Sequence, residues 1–124
     1  MKRNQIEDEL QRNVVEWLAV QELLGHLTYH AVMNNPRSAR DGARLKQMGL
    51  RAGVPDLLIL SPWRVPLYIE LKQPKPKGRV SFEQVESMHR LETLGGAMCV
   101  VCRSQEDVQK VVTGWLQTKV AHAA

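Results

Sequence analysis

A chain of 124 residues, 44% hydrophobic and 24% charged, has the size and composition of one globular domain that can bury a single core without staples. No segment approaches the ~20 apolar residues of a membrane span, and the polar start MKRNQIEDEL is no secretory signal, so a cytoplasmic protein without a membrane partner is expected. The formal net charge of +4 resides in residues 36–53, where Arg37, Arg40, Arg44, Lys46 and Arg51 face Asp41 alone. Such a loop either is simply solvated or meets an anionic partner such as a nucleic-acid backbone.

In chain order, Ile6, Leu10, Val14, Trp17, Leu18 and Leu24 recur at helical spacing and predict an amphipathic helix over 5–24, stopped by Gly25. Glu7 borders that stripe. The β-prone LTYHAVM (27–33) runs into the turn-forming NNP, and residues 38–48 form a short basic helix before Gly49. DLLIL (56–60) and PLYIELK (66–72) are strands joined across SPWRV as a hairpin with Trp63 at its turn. On the second strand Tyr68, Glu70 and Lys72 share one face, and Ile69 and Leu71 take the other.

After the break PKPKG, Ser81 and Gln84 make an S-x-x-Q capping box that opens a helix over 82–94, with Phe82, Val85, Met88 and Leu91 as its apolar face. AMCVVC (97–102) reads as a near-continuous buried strand, parallel to the preceding one because the helix serves as the crossover. Ser104 caps a last helix over 105–121, in which Val108, Val111, Val112, Trp115 and Leu116 keep helical spacing. The order is αβ(α)ββαβα, an α/β domain over 1–124 with a mixed central sheet flanked by helices.

Cys99 and Cys102 form a lone C-x-x-C with no second ligand pair, and on a strand they point to opposite faces, so two reduced core thiols are expected. His26, His30, His89 and His122 show no ligand spacing. Trp17, Trp63 and Trp115 are expected as packing residues, and Trp63, in the hairpin tip, is the one that could instead stack on a base.

The chemistry lies in the charges that interrupt the apolar strands. A hairpin brings Asp56 and Glu70 to the same end of the sheet, where two carboxylates repel unless a cation lies between them. Removing either one should then raise stability in the absence of metal. Hard oxygens without sulfur or imidazole select Mg²⁺, Mn²⁺ or Ca²⁺ over zinc, and magnesium on one or two carboxylates typically serves phosphate chemistry. Lys72, on the same face as Glu70, could orient the attacking water or offset charge on the phosphate. The plain alternative is a structural ion pair between Glu70 and Lys72. A second basic cluster, Lys75, Lys77 and Arg79, follows directly.

The string GVPDLLIL…LYIELKQPKPKGRVSFEQ resembles the VRR-NUC family, virus-type replication-repair nucleases within the PD-(D/E)xK superfamily. The family pattern falls here on Glu7 with Leu10-Gln11, on Gly53-Val54-Pro55-Asp56, on Glu70-Leu71-Lys72, and on Ser81 with Gln84. The resemblance implies a restriction-endonuclease-like core. In it Asp56, Glu70 and the Leu71 backbone carbonyl hold Mg²⁺ or Mn²⁺, Lys72 is catalytic and Gln84 supports the site. Gln84 is equally explained by its capping box. Glu7 is the preferred helix-one acid and a further candidate ligand for the metal, with Asp8 and Glu9 as competitors and Glu9 the outward-facing alternative.

The implied protein is a bacterial or phage DNA endonuclease like a Holliday-junction resolvase, acting on branched DNA as a homodimer. Its DNA contacts are expected at Arg37, Arg40, Arg44, Lys46, Arg51, Lys75, Lys77 and Arg79. A flap or restriction-type endonuclease and a non-catalytic nucleic-acid-binding module are the alternatives.

Overall fold

The computed structural model describes residues 4–32 and 38–120. Its elements are α1 (Gln5–Leu23), β1 (Thr28–Ala31), α2 (Ala39–Gln47), β2 (Leu57–Leu60), β3 (Leu67–Leu71), α3 (Phe82–Thr93), β4 (Met98–Cys102) and α4 (Gln105–Leu116). The four strands form one mixed sheet in the order β1-β2-β3-β4, antiparallel except for the parallel pair β3 and β4. A two-strand hairpin needs only a tight turn, whereas the parallel pair needs a crossover, and α3 is that crossover.

Side-chain alternation on β3 sorts the layers. Leu67, Ile69 and Leu71 are fully buried, together with Leu57, Ile59 and Cys102, against Val14 and Leu18 of α1 and Val108, Val112 and Trp115 of α4. The Trp115 indole N–H donates to the Val65 carbonyl at 2.8 Å, so this large side chain is buried with its polar atom satisfied. Tyr68 and Glu70 face the other way, toward α3. Serine caps at Ser38, Ser81 and Ser104 start α2, α3 and α4, each side chain accepting a backbone N–H of the first turn.

Several expectations are corrected. The α1 stripe buries Glu7, Val14 and Leu18, while Ile6 and Leu24 are more than half exposed: Ile6 lies on the face beside that of Glu7, and Leu24 is the C-cap. In α3, Phe82 and Val85 point to solvent, and the one buried residue is Ser87, whose small side chain faces the sheet. The strand β4 is not buried throughout. It is the sheet edge, with Met98 exposed, Cys99 to Val101 half-buried and only Cys102 enclosed. The last helix ends at Leu116, short of residue 121.

Both cysteines are free thiols, Cys102 buried and Cys99 half-buried. Burial, with Asp107 nearby, pushes the Cys102 thiol up to about 12, and burial with Glu92 pushes Cys99 up to about 11. Thiols held this far toward the protonated form are poor nucleophiles and poor metal ligands.

The hairpin turn holds Trp63 at φ 66°, a left-handed conformation that a bulky residue adopts only when its surroundings enforce it. Arg64 supplies much of that enforcement. Its Nε donates to the Leu116 carbonyl at 2.8 Å, its Nη2 donates to the same carbonyl, and its Nη1 reaches Ser61 Oγ and the Pro62 carbonyl.

Candidate active site

Continuing the β2–β3 register by one residue sets Asp56 opposite Glu70. The Asp56 carboxylate does not project freely: its Oδ2 accepts the Leu71 backbone N–H at 2.8 Å, and its carbonyl accepts the Val32 N–H at 2.8 Å. Asp56 thereby joins β1, β2 and β3 at one end of the sheet.

Glu70 is 3% exposed. Its Oε2 accepts from Gln84 Nε2 at 2.8 Å and lies 3.5 Å from Lys72 Nζ, whose side chain is 13% exposed. Ionised groups at this depth persist only with such partners. The expectation that losing a carboxylate would raise stability without metal therefore changes sign. Glu70→Ala strands Lys72 and the Gln84 amide, and Asp56→Ala strands the Leu71 N–H.

Gln84 closes the expected capping box and also reaches Glu70. Its Oε1 accepts the Ser81 N–H at 2.9 Å while its own N–H donates to Ser81 Oγ at 3.2 Å, closing the capping box. Its Nε2 is left for Glu70. One amide thus fixes the start of α3 and fastens that start to β3.

Gly53 makes this docking possible. It sits at φ 78°, and a Cβ there would lie 2.4 Å from the Glu83 carbonyl oxygen and 2.8 Å from the Gln84 nitrogen. The glycine of the GVPD string therefore serves two ends, a left-handed turn and close passage over the first turn of α3.

Glu7 is buried at 8% exposure, and its Oε2 accepts the Gln73 N–H at 3.0 Å. It is brought to the same end of the sheet, whereas Glu9 is exposed and pairs with Gln5 within α1. Asp8 is half-buried. Among the described residues, no three His, Cys, Asp or Glu side chains gather as a metal cluster. The groups at this end that could hold a cation are the carboxylates of Asp56 and Glu70 and the Leu71 carbonyl, hard oxygens without sulfur or imidazole. That fits Mg²⁺ or Mn²⁺, which keep several waters, and does not fit zinc.

The N-terminal ends of α1, α3 and α4 all lie at this end, so their positive dipole ends favour an anion there. Arg40, Arg44, Lys46 and Arg51, and Lys75, Lys77 and Arg79, are all exposed on segments that leave the sheet at the same end. Arg44 also pairs with Asp41 at 3.1 Å. The helix α2 that carries Arg40, Arg44 and Lys46 buries none of its residues. Arg37 and His122 lie outside the described residues. Trp63 is at the opposite end of β2 and β3, four strand residues or roughly 13 Å away, and is not brought to the carboxylates. His26, His30 and His89 are exposed and take no part in the group.

Sequence reasoning missed Arg103. Its Nη1 donates to the Gln73 carbonyl at 2.9 Å and to the Gly78 carbonyl, across the loop that follows Lys72. An arginine ending a strand carries no local signal for that task.

A family model described as the VRR-NUC domain matches residues 2–106. A solved structure described as "VRR_NUC domain protein" is similar to this chain at 25% sequence identity with a TM-score of 0.73, covering 96% of this chain and 94% of that one. The family match stops at the start of α4, so the likeness of the last helix rests on the structural comparison. No curated protein matches.

The double use of Gln84 makes a separable prediction. Ser81→Ala should lower stability by about 1 kcal/mol, the usual value of a helix cap, and leave the Glu70 hydrogen bond in place. Gln84→Ala should lower it further, because Glu70 also loses a buried donor. Thermal melts of the two variants in EDTA check the order; equal losses would mean that the Gln84 to Glu70 bond adds nothing.

Proposed function

The chain belongs to the VRR-NUC family and carries its nuclease-type fold, and from that premise we propose that it is a Mg²⁺- or Mn²⁺-dependent endonuclease hydrolysing phosphodiester bonds in DNA. The observation that carries this reading is the convergence of Asp56, buried Glu70 and Lys72 at one end of the sheet, beneath exposed basic segments.

In this reading Asp56, Glu70 and the Leu71 carbonyl would hold the cation, which when bound would supply Lewis-acid stabilisation of charge on the phosphate. The chain's own groups do the rest. Gln84 and Lys72 fix the Glu70 carboxylate, so that it presents its oxygens without reorganising when substrate arrives. Lys72 holds a compact ammonium at the site edge, where it can orient the attacking water or offset charge on the phosphate. Lys46, Arg51, Lys75, Lys77 and Arg79, with Arg40 and Arg44, neutralise phosphates along the duplex and position it without reading bases.

We further propose branched DNA as substrate and a two-fold homodimer as the acting form. One set of carboxylates cuts one strand at a time, and a four-way junction offers two symmetry-related strands. Exposed Phe82, Val85 and Leu94 on and beside α3 supply apolar surface of the kind a dimer needs. A second reading, a non-catalytic binding module, draws on the closed Glu70–Lys72 pair; divalent-ion binding separates the two.

Asp56→Ala and Glu70→Ala are each expected to give folded protein with no cleavage above the metal-free background, while melting lower than wild type in EDTA. Lys72→Arg keeps the charge but moves it, and its single-turnover rate should fall by about tenfold or more. Wild-type rates in all three would end the assignment at this site. Joint replacement of Arg40, Arg44 and Lys46 should weaken DNA binding and flatten the log–log salt dependence by up to about 0.9 for each duplex phosphate no longer neutralised. An unchanged slope would move the DNA surface elsewhere.

A further inference from the structure

We propose that Glu7 and Arg103 form a two-sided clamp on Gln73 that positions Lys72, and that Glu7 acts in this chain through that backbone hydrogen bond. The inference rests on the nuclease reading and deepens it by naming two positioning residues.

The need for a clamp follows from where β3 stops. The Lys72 N–H still finds a ladder-like partner, the Cys102 carbonyl at 3.0 Å. One residue later the sheet has ended, and the peptide groups of Gln73 must find other partners or be left unpaired beside a half-buried charged pair. Glu7 takes the N–H at 3.0 Å from one side, and Arg103 takes the carbonyl at 2.9 Å from the other. The partners come from distant parts of the chain, 66 residues before and 30 residues after. Both hydrogen bonds involve an ionised side chain, the stronger class.

The clamp extends into the basic loop. Arg103 Nη1 also donates to the Gly78 carbonyl, so one guanidinium ties the two ends of the 73–78 segment together. Gly78 is buried in that closure: a Cβ there would lie 2.1 Å from the Gln73 carbonyl oxygen and 2.9 Å from Arg103 Nη1. Arg103 is in turn anchored by its own N–H on Asp107 Oδ2 at 3.0 Å, within the first turn of α4. The backbone on both sides of the Lys72 side chain is therefore fixed by the sheet, by α1 and by the β4–α4 junction. A lysine's four-carbon stem is flexible, so the placing of its ammonium depends on a backbone that does not move.

The test compares Glu7→Gln, Glu7→Ala, Arg103→Lys and Arg103→Ala by three readouts: Mn²⁺ affinity, hydrogen exchange of the 72–78 amides, and single-turnover cleavage at saturating DNA and Mn²⁺. Glutamine at position 7 keeps an acceptor for the Gln73 N–H but gives up the charge a metal ligand needs. Glu7→Gln is expected to retain wild-type Mn²⁺ affinity and most of the rate. Glu7→Ala and Arg103→Ala should speed exchange at 72–78 and cut the rate by about tenfold, the effect of removing one such hydrogen bond, with DNA affinity within about twofold. Arg103→Lys, which keeps a cationic donor without the planar fork, should recover part of that rate.

Loss of Mn²⁺ affinity in Glu7→Gln would make Glu7 a metal ligand and overturn its role here. Accelerated exchange with an unchanged rate would reduce the clamp to a structural one and overturn the link to Lys72. A wild-type protein that cuts no DNA would overturn the nuclease reading and the positioning role with it, while unchanged exchange in the variants of an active enzyme would overturn the clamp alone.

Discussion

A carboxylate at 3% exposure inside a β-sheet face has to be held, and the arrangement of this end of the molecule follows from how Glu70 is held. Its partners come from its own strand, through Lys72, and from the crossover helix, through Gln84. Because Gln84 is also the third residue of its helix, the carboxylate and the helix start cannot be placed independently. The close passage of Gly53 over that same turn links the approach to β2 to the same point. Asp56 then closes the group from below by accepting the Leu71 N–H. Three segments of chain, the 53–56 approach, the end of β3 and the start of α3, meet here.

This arrangement suits a cation better than a purely structural role requires. A structural ion pair needs one carboxylate and one amine, and Glu70 with Lys72 would suffice. Asp56 opposite Glu70, an all-oxygen acid pair, and the N-terminal ends of α3 and α4 at the same end of the sheet go beyond that pair. Under the proposed function, they are the features that would hold a divalent cation and favour a phosphate beside it. The basic residues of α2 and of the 73–80 loop lie on segments that leave the sheet at this end, so an approaching anion meets favourable charge before it reaches the carboxylates.

Much of the fold was legible in the sequence because its strands alternate cleanly and its helices carry caps. Ile69 and Leu71 against Tyr68 and Glu70 gave the two faces of β3, and Ser81 with Gln84 marked the start of α3. The apolar face of α3 was misjudged for a physical reason. A crossover helix lying over an edge strand needs only a narrow line of packing, which Ser87 provides, so Phe82 and Val85 are left outside. Edge position also explains why β4 is less buried than its hydrophobic sequence suggests. Of the site, the carboxylates and Lys72 stood out as charges within apolar runs, and Glu7 as an acid beside a buried stripe. Arg103, and the steric roles of Gly53 and Gly78, were not legible. Arg103 meets carbonyls 30 and 25 residues back and Gly53 meets Glu83 thirty residues on, while Gly78 abuts Gln73 across a loop closure that no local pattern encodes.

The account stands on a divalent cation belonging between Asp56 and Glu70, and anomalous diffraction from crystals equilibrated with Mn²⁺ tests this most directly. The expected map has a peak within bonding distance of Asp56, Glu70 and the Leu71 carbonyl oxygen, which disappears in Asp56→Ala. A map with no peak at that place, or with its manganese bound elsewhere and unaffected by the substitution, would contradict it.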